Sequence, residues 1–207
     1  MVDEAESNAC TPVPVTKGYF NSQAFIPYGC HIDHIYTAMN EFCDFLGFIN
    51  RELYTKQIPR LETMLMPANF SSIVGEFMTT TIPKYCLNIV KNRHHNGHPD
   101  LIPIETFPGN SVRHVSLGIE VKASRYVSGW QGHNRENIWL LVFVFASDKP
   151  ELITPQPFRF LQVLGAQLEE TDWTFAGRSE TSRRTITASI NRSSFQKMQQ
   201  NWIYRTT

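Results

Sequence analysis

The unbroken apolar run Ile138-Trp139-Leu140-Leu141-Val142-Phe143-Val144-Phe145 constrains the fold more than any other stretch of the chain. A strand with one wet face alternates apolar and polar residues, whereas a run without a polar position is covered on both faces. It is too short to span a bilayer, and no other stretch approaches that length. A central strand buried on both sides implies helices on each side of a sheet. The expected fold class is therefore α/β, a central mixed β-sheet flanked by helices. A chain of 207 residues with 42% hydrophobic content suits one domain with a true core.

The flanking helices are legible as periodicity. Ile32, Ile35, Tyr36, Met39, Phe42, Cys43, Leu46, Ile49 and Leu53 recur at steps of three and four, an apolar stripe over 32–57. Asn69 or Ser71 can cap a second helix through about residue 81, with Ile73, Val74, Phe77 and Met78 inward. Helical spacing resumes beyond Pro83 at Tyr85, Cys86, Ile89 and Val90, which extends the expected helical region over 70–90. Residues 158–168 read as a further strand and 173–175 as a short piece. Residues 135–137 suggest a short helix, and Ser193 or Ser194 caps a last one that turns Phe195, Met198 and Trp202 inward. Residues 1–20, with Pro12 and Pro14, read as a flexible arm, and 21–207 as a single domain.

The chemistry gathers in residues 98–134. Pro99-Asp100 opens one apolar run, and a second strand-like run over 114–122 ends in Gly118-Ile119-Glu120-Val121-Lys122. Alternation along a strand turns Glu120 and Lys122 to one side and Val121 to the other. If the two runs are neighbouring strands, Asp100 lies beside Glu120 and two carboxylates face one ammonium. Such carboxylates repel unless a cation joins them, and an oxygen-seeking divalent ion, Mg²⁺ above all, relieves the repulsion. Lys122 would then orient or deprotonate an attacking water, or offset charge on a phosphate. The bland alternative is a surface hairpin carrying an ordinary Glu/Lys pair.

Pro99-Asp100 followed by Glu120-Val121-Lys122 resembles the signature of the PD-(D/E)xK nuclease superfamily, which includes most type II restriction endonucleases. The resemblance covers roughly residues 70–146. It implies a restriction endonuclease-like core and Mg²⁺-dependent, site-specific cleavage of double-stranded DNA by a homodimer. Asp100, Glu120 and the Val121 carbonyl would hold the metal, and Lys122 would act on the water. A helix before the motif strand often carries a further acidic residue in this superfamily; Glu76 is the candidate here and Glu62 the alternative. Relatives acting in repair, junction resolution or mobile-element processing would share these residues, and a non-catalytic DNA-binding module would keep the Glu/Lys pair for structure alone.

Formal net charge is zero, so any nucleic-acid surface has to be local. The best stretch is 177–194, where four arginines (Arg178, Arg183, Arg184, Arg192) against Glu180 give +3. Arg178, Ser182, Arg183, Arg184 and Thr185 suit phosphate contacts and guanine reading. Gln131, His133 and Asn134, in a glycine-bearing turn, can bond base edges or phosphates, while Trp130 reads as a core plug. The three histidines His94, His95 and His98 lack a cysteine or carboxylate at zinc-ligand spacing, and read as a solvated turn beside Pro99-Asp100. The four cysteines (Cys10, Cys30, Cys43, Cys86) show no C-x-x-C pair, which favours reduced thiols in a cytoplasmic protein. The acidic N-terminus lacks a signal pattern.

Overall fold

A computed structural model describes residues 4–132, 134–149, 154–175 and 187–206. In chain order its helices are α1 (Glu4–Ala9), α2 (Ile32–Thr55), α3 (Leu61–Met64), α4 (Pro67–Tyr85) and α5 (Arg192–Gln200). Its strands are β1 (Ile89–Lys91), β2 (Leu101–Pro103), β3 (Ile119–Ser124), β4 (Gln131–Gly132), β5 (Ile138–Ala146), β6 (Arg159–Leu168), β7 (Trp173–Phe175), β8 (Ala188–Ile190) and β9 (Trp202–Arg205). Six strands form one mixed sheet in the order β1-β2-β3-β5-β6-β9, in which β3 and β5 are parallel and the other neighbours antiparallel. The fold is α/β, a mixed sheet flanked by helices.

The apolar run is the interior strand β5, and its two faces serve two cores. Trp139, Leu141, Phe143 and Phe145 pack with α2 and α4 through Phe42, Phe70 and Val74. Ile138, Leu140, Val142 and Val144 face the other way, against Trp130, Trp173, Ala188, Ile190 and Met198. The layer on this second face is α5 together with a small sheet of order β4-β8-β7. Both long helices thus lie on one side, and the opposite side is covered by one short helix and a second sheet.

Several local expectations are corrected. Residues 4–20 are not a loose arm: Cys10 and Val15 are buried, and Phe20 bridges to Tyr204. Proline at the first helical position is pre-set for the helix, so α4 begins at Pro67, with Met66 as N-cap rather than Asn69 or Ser71. It runs through Pro83, ends at Tyr85, and Ile89 starts a strand where helical spacing had suggested more helix. Residues 135–137 form no helix. Asn191, not Ser193 or Ser194, caps α5, its side chain accepting the Ser194 N–H at 3.0 Å. Trp202 belongs to β9.

Beneath the helical layer, Arg60 is almost fully buried and uses all five of its N–H groups. Nε donates to Glu6, Nη1 to Glu62 (2.8 Å) and the Gln156 carbonyl, and Nη2 to Asp148 (2.7 Å) and Glu6. Glu62 also accepts from the Asn50 side-chain amide, whose Oδ1 in turn accepts the Leu61 N–H. Burial opposes the Arg60 charge, but the Glu6 and Asp148 carboxylates outweigh it and raise its pKa. Arg125 closes one side by donating to the Glu62 carbonyl at 3.1 Å, while its Nε and Nη1 find no partner among the described residues.

Candidate active site

The candidate site is built where the sheet's pairing stops. β2 meets β3 at Leu101 and Ile119, and their ladder goes no further. Gly118 makes that approach feasible: a Cβ there would lie 2.2 Å from the Leu101 carbonyl oxygen and 2.4 Å from Pro99 Cγ, and its φ of 149° suits glycine. With no β2 residue left to pair with, the Val121 N–H is taken by the Asp100 carboxylate, Oδ2 accepting it at 2.9 Å. Asp100 is thereby fixed beside the edge of β3, where Glu120 and Lys122 stand.

Glu120 is buried and doubly held. Its Oε1 accepts a short hydrogen bond from Lys122 Nζ, and its Oε2 lies 3.0 Å from His98 Nδ1. The His98 ring stacks on His114 with centroids 5.0 Å apart, and its Nε2 is 3.8 Å from Glu136 Oε2. Glu136 arrives through topology. Parallel strands need a crossover, here residues 125–137, which returns the chain to the end of β3 where Glu120 begins. Glu136 Oε2 is buried without a hydrogen-bond partner among the described residues.

Burial and then the neighbouring Glu120 charge push Asp100 well above the carboxylate range, to about 7. Burial would raise Glu120 too, but the His98 hydrogen bond and the Lys122 charge overcome it and hold Glu120 low. Burial disfavours the cations, yet Glu120 raises both Lys122 and His98. Glu136 is raised by burial. One carboxylate is thus stably ionised, a second sits close to protonation, and the ammonium stays charged.

These groups face a cavity of about 650 Å³ lined by Asp100, Glu120, Val121 and Lys122 on one side and by Ser71, Gly75, Glu76 and Thr79 of α4 on the other. Lys122 also lines an adjoining space of about 440 Å³ with Tyr126, Ser128 and Gln131. Oxygen donors dominate the first cavity, a set suited to a hard divalent cation. Asp100 and Glu120 with the Val121 carbonyl fit Mg²⁺ on that chemistry, because a cation is what would let both carboxylates ionise together.

The fold therefore brings Asp100, Glu120, Val121 and Lys122 to one place. Glu76 lines the same cavity but is exposed, and its Oε2 pairs with Lys91 Nζ at 2.5 Å. Glu62 is removed from the site altogether, consumed by Arg60 and Asn50. Gln131 lines the adjoining space, and Asn134 is exposed in the crossover. His133, Arg178, Ser182, Arg183, Arg184 and Thr185 lie outside the described residues. Of the basic segment, Arg192 is described, exposed at the start of α5. Sequence reasoning passed over His98 as an ion partner of Glu120, although its place two residues before Asp100 was a signal. It also missed Glu136, whose only clue was its position just ahead of the central strand.

No helix among the described residues is long and apolar enough to cross a membrane. Compared with known proteins, the chain matches no family model, no curated protein and no solved structure.

Proposed function

We propose that this chain is a Mg²⁺-dependent endonuclease that hydrolyses phosphodiester bonds of double-stranded DNA, related in its chemistry to the type II restriction enzymes of the PD-(D/E)xK superfamily. The observation that carries the reading is the meeting of Asp100, Glu120 and Lys122 at the lip of one polar cavity, on strands that pair only at their first residues.

In this reading Asp100, Glu120 and the Val121 carbonyl hold the ion. When bound, Mg²⁺ supplies Lewis-acid stabilisation to phosphoryl oxygens and lowers the pKa of water. Lys122 remains protonated at neutral pH because Glu120 raises its pKa, so it serves as a hydrogen-bond donor that orients water and offsets phosphate charge rather than as a base. His98 positions Glu120 by its 3.0 Å contact. Gln131 and Asn134, with the arginine-rich stretch that includes Arg178, Arg183 and Arg184, hold or read the duplex. A palindromic target calls for a two-fold homodimer.

The test is digestion of mixed plasmid and phage DNA by the purified chain with Mg²⁺, beside chelator, Glu120→Ala and Lys122→Ala controls. Discrete bands that vanish in all three controls, with each variant folded by circular dichroism, are expected. A smear would replace site specificity with repair or processing activity. Absence of cleavage on linear, supercoiled and branched duplexes would overturn the enzymatic reading in favour of a binding module.

A further inference from the structure

A second constellation lies away from this cavity, where the start of α2 meets the end of α4. Cys30 precedes the N-cap of α2, His34 sits in that helix's first turn, and Cys86 follows the last residue of α4. One ligand atom from each, two sulfurs and one imidazole nitrogen, lie within 4.8 Å of one another. Both thiols are buried and neither is in a disulfide. We propose that Cys30, His34 and Cys86 form a zinc-binding site that staples the start of α2 to the end of α4.

Two thiolates and an imidazole are soft and borderline donors, the opposite of the carboxylate set at Asp100 and Glu120, so the two sites select different metals. A tetrahedral zinc with bonds of about 2.0–2.3 Å spaces its ligands by about 3.3–3.8 Å. The three atoms therefore close on an ion with a shift of about one ångström. The two sulfurs lie in mutual hydrogen-bond reach, and the Cys30 contact lowers the Cys86 thiol despite burial. His34 Nδ1 accepts the His31 N–H at 3.0 Å. Coordination through Nε2 would place the ring proton on Nδ1 and turn that N–H to water, which the exposure of His31 permits. The exposed His31 ring, its centroid 5.4 Å from that of His34, stands beside the opening where a fourth ligand or water would enter. A thiol pair held for redox exchange also uses an imidazole, to favour the thiolate, and is told apart by its recovery as a disulfide without metal uptake; a purely packed core has no use for a histidine beside the sulfurs.

The consequence is structural. α4 supplies one wall of the Asp100–Glu120 cavity, so the staple fixes the helix that forms that wall without touching the reacting groups. It does not depend on the nuclease reading.

Elemental analysis of the full chain purified under reducing conditions should find about one zinc per chain. Cobalt added to the chelator-treated protein should give thiolate-to-metal charge-transfer absorption. Cys30→Ser and Cys86→Ser should each weaken cobalt binding by more than the roughly 10–100-fold that loss of a mere supporting partner costs. His34→Ala, altering a half-buried residue, is the variant to use if either serine variant fails to fold. Glu120→Ala should keep the charge-transfer band unchanged. A reduced chain that holds no zinc and shows no band overturns the site, and so does a band that survives both serine substitutions. Recovery of Cys30 and Cys86 as a disulfide, with no metal uptake after reduction, also overturns it.

Discussion

Two ionic clusters in this molecule have almost the same inventory and opposite construction. Around Arg60, three carboxylates (Glu6, Glu62, Asp148) meet Arg60 and the nearby Arg125; around Glu120, three carboxylates (Asp100, Glu120, Glu136) meet Lys122 and His98. The Arg60 guanidinium spends every N–H on a fixed acceptor, even though the nearby Arg125 keeps Nε and Nη1 without one among the described residues. The Glu120 group faces a cavity, leaves Glu136 Oε2 without a hydrogen bond among the described residues, and drives Asp100 toward protonation. Charges that are fully bonded hold a fold together and have nothing left to bind with. Charges left in mutual conflict cost stability and keep capacity for something else, as ligand sites do.

The sharpest way to break the contrast is Arg60→Met. It leaves Glu62 and Asp148 in the interior with one hydrogen-bond partner lost each and no ion pair in contact, Arg125 being only nearby. Removing one member of a buried pair costs about 3–5 kcal/mol, a large share of a domain's total stability. Urea denaturation should show that drop. A loss under about 1 kcal/mol would instead place the Arg60 cluster with surface ion pairs.

The two clusters also differed in how far they could be read from sequence. The Glu120 side was legible because alternation along one strand and a single pairing of neighbours suffice to join Asp100, Glu120 and Lys122. β5 was legible because eight apolar positions in succession have only one comfortable location, and α2 because its stripe is long. The Arg60 cluster was not, since its members come from α1, the α2–α3 connection, α3 and the turn after β5, and no local pattern announces such a meeting. Glu62 illustrates the difficulty: on sequence it competed with Glu76 for the active site, and burial assigns it elsewhere. Likewise Cys30 and Cys86 are separated by the whole α2–α4 segment, so spacing rules had nothing to detect. Short strands such as β1 are set by their partners rather than by their own residues.

Asp100→Asn probes the open cluster with an effect of intermediate size and opposite sign. Asn keeps an acceptor for the Val121 N–H but cannot ionise. In the native chain Asp100 has its pKa raised from an ordinary 3.8 to about 7. Its contribution to stability is therefore fully present below the unfolded value and is lost as pH rises through the folded one. The variant should match the native chain near pH 4 and exceed it by roughly 1–3 kcal/mol at pH 8. Glu120, held low by His98 and Lys122, runs the other way: its stability is present above its unfolded value and is lost as acid carries pH down through its folded one. If Mg²⁺ takes the place of the Asp100 proton, it should stabilise the native chain at pH 8 by about 2.7 kcal/mol at a hundredfold excess over its dissociation constant, and leave Asp100→Asn nearly unmoved. Equal stabilisation of both by Mg²⁺ would separate the ion from Asp100.

The smallest effect is expected at Glu76, where the contrast is drawn most finely. Glu76 lines the open cavity, yet its side chain is 69% exposed and its partner Lys91 is 43% exposed. Water already solvates both, so the pair contributes only about 0–1 kcal/mol, and Glu76→Gln should leave the unfolding midpoint almost unchanged. The informative measurement is the Mg²⁺ concentration that gives half-maximal stabilisation at pH 8. A carboxylate that supports a bound ion costs roughly 10–100-fold in affinity when removed. Because Lys91 already neutralises Glu76, and α4 holds it on the far wall from Asp100, the midpoint should move by much less than that lower limit. A tenfold shift would instead make Glu76 a working member of the metal shell, and the open cluster would then extend from the strand edge across the cavity to α4.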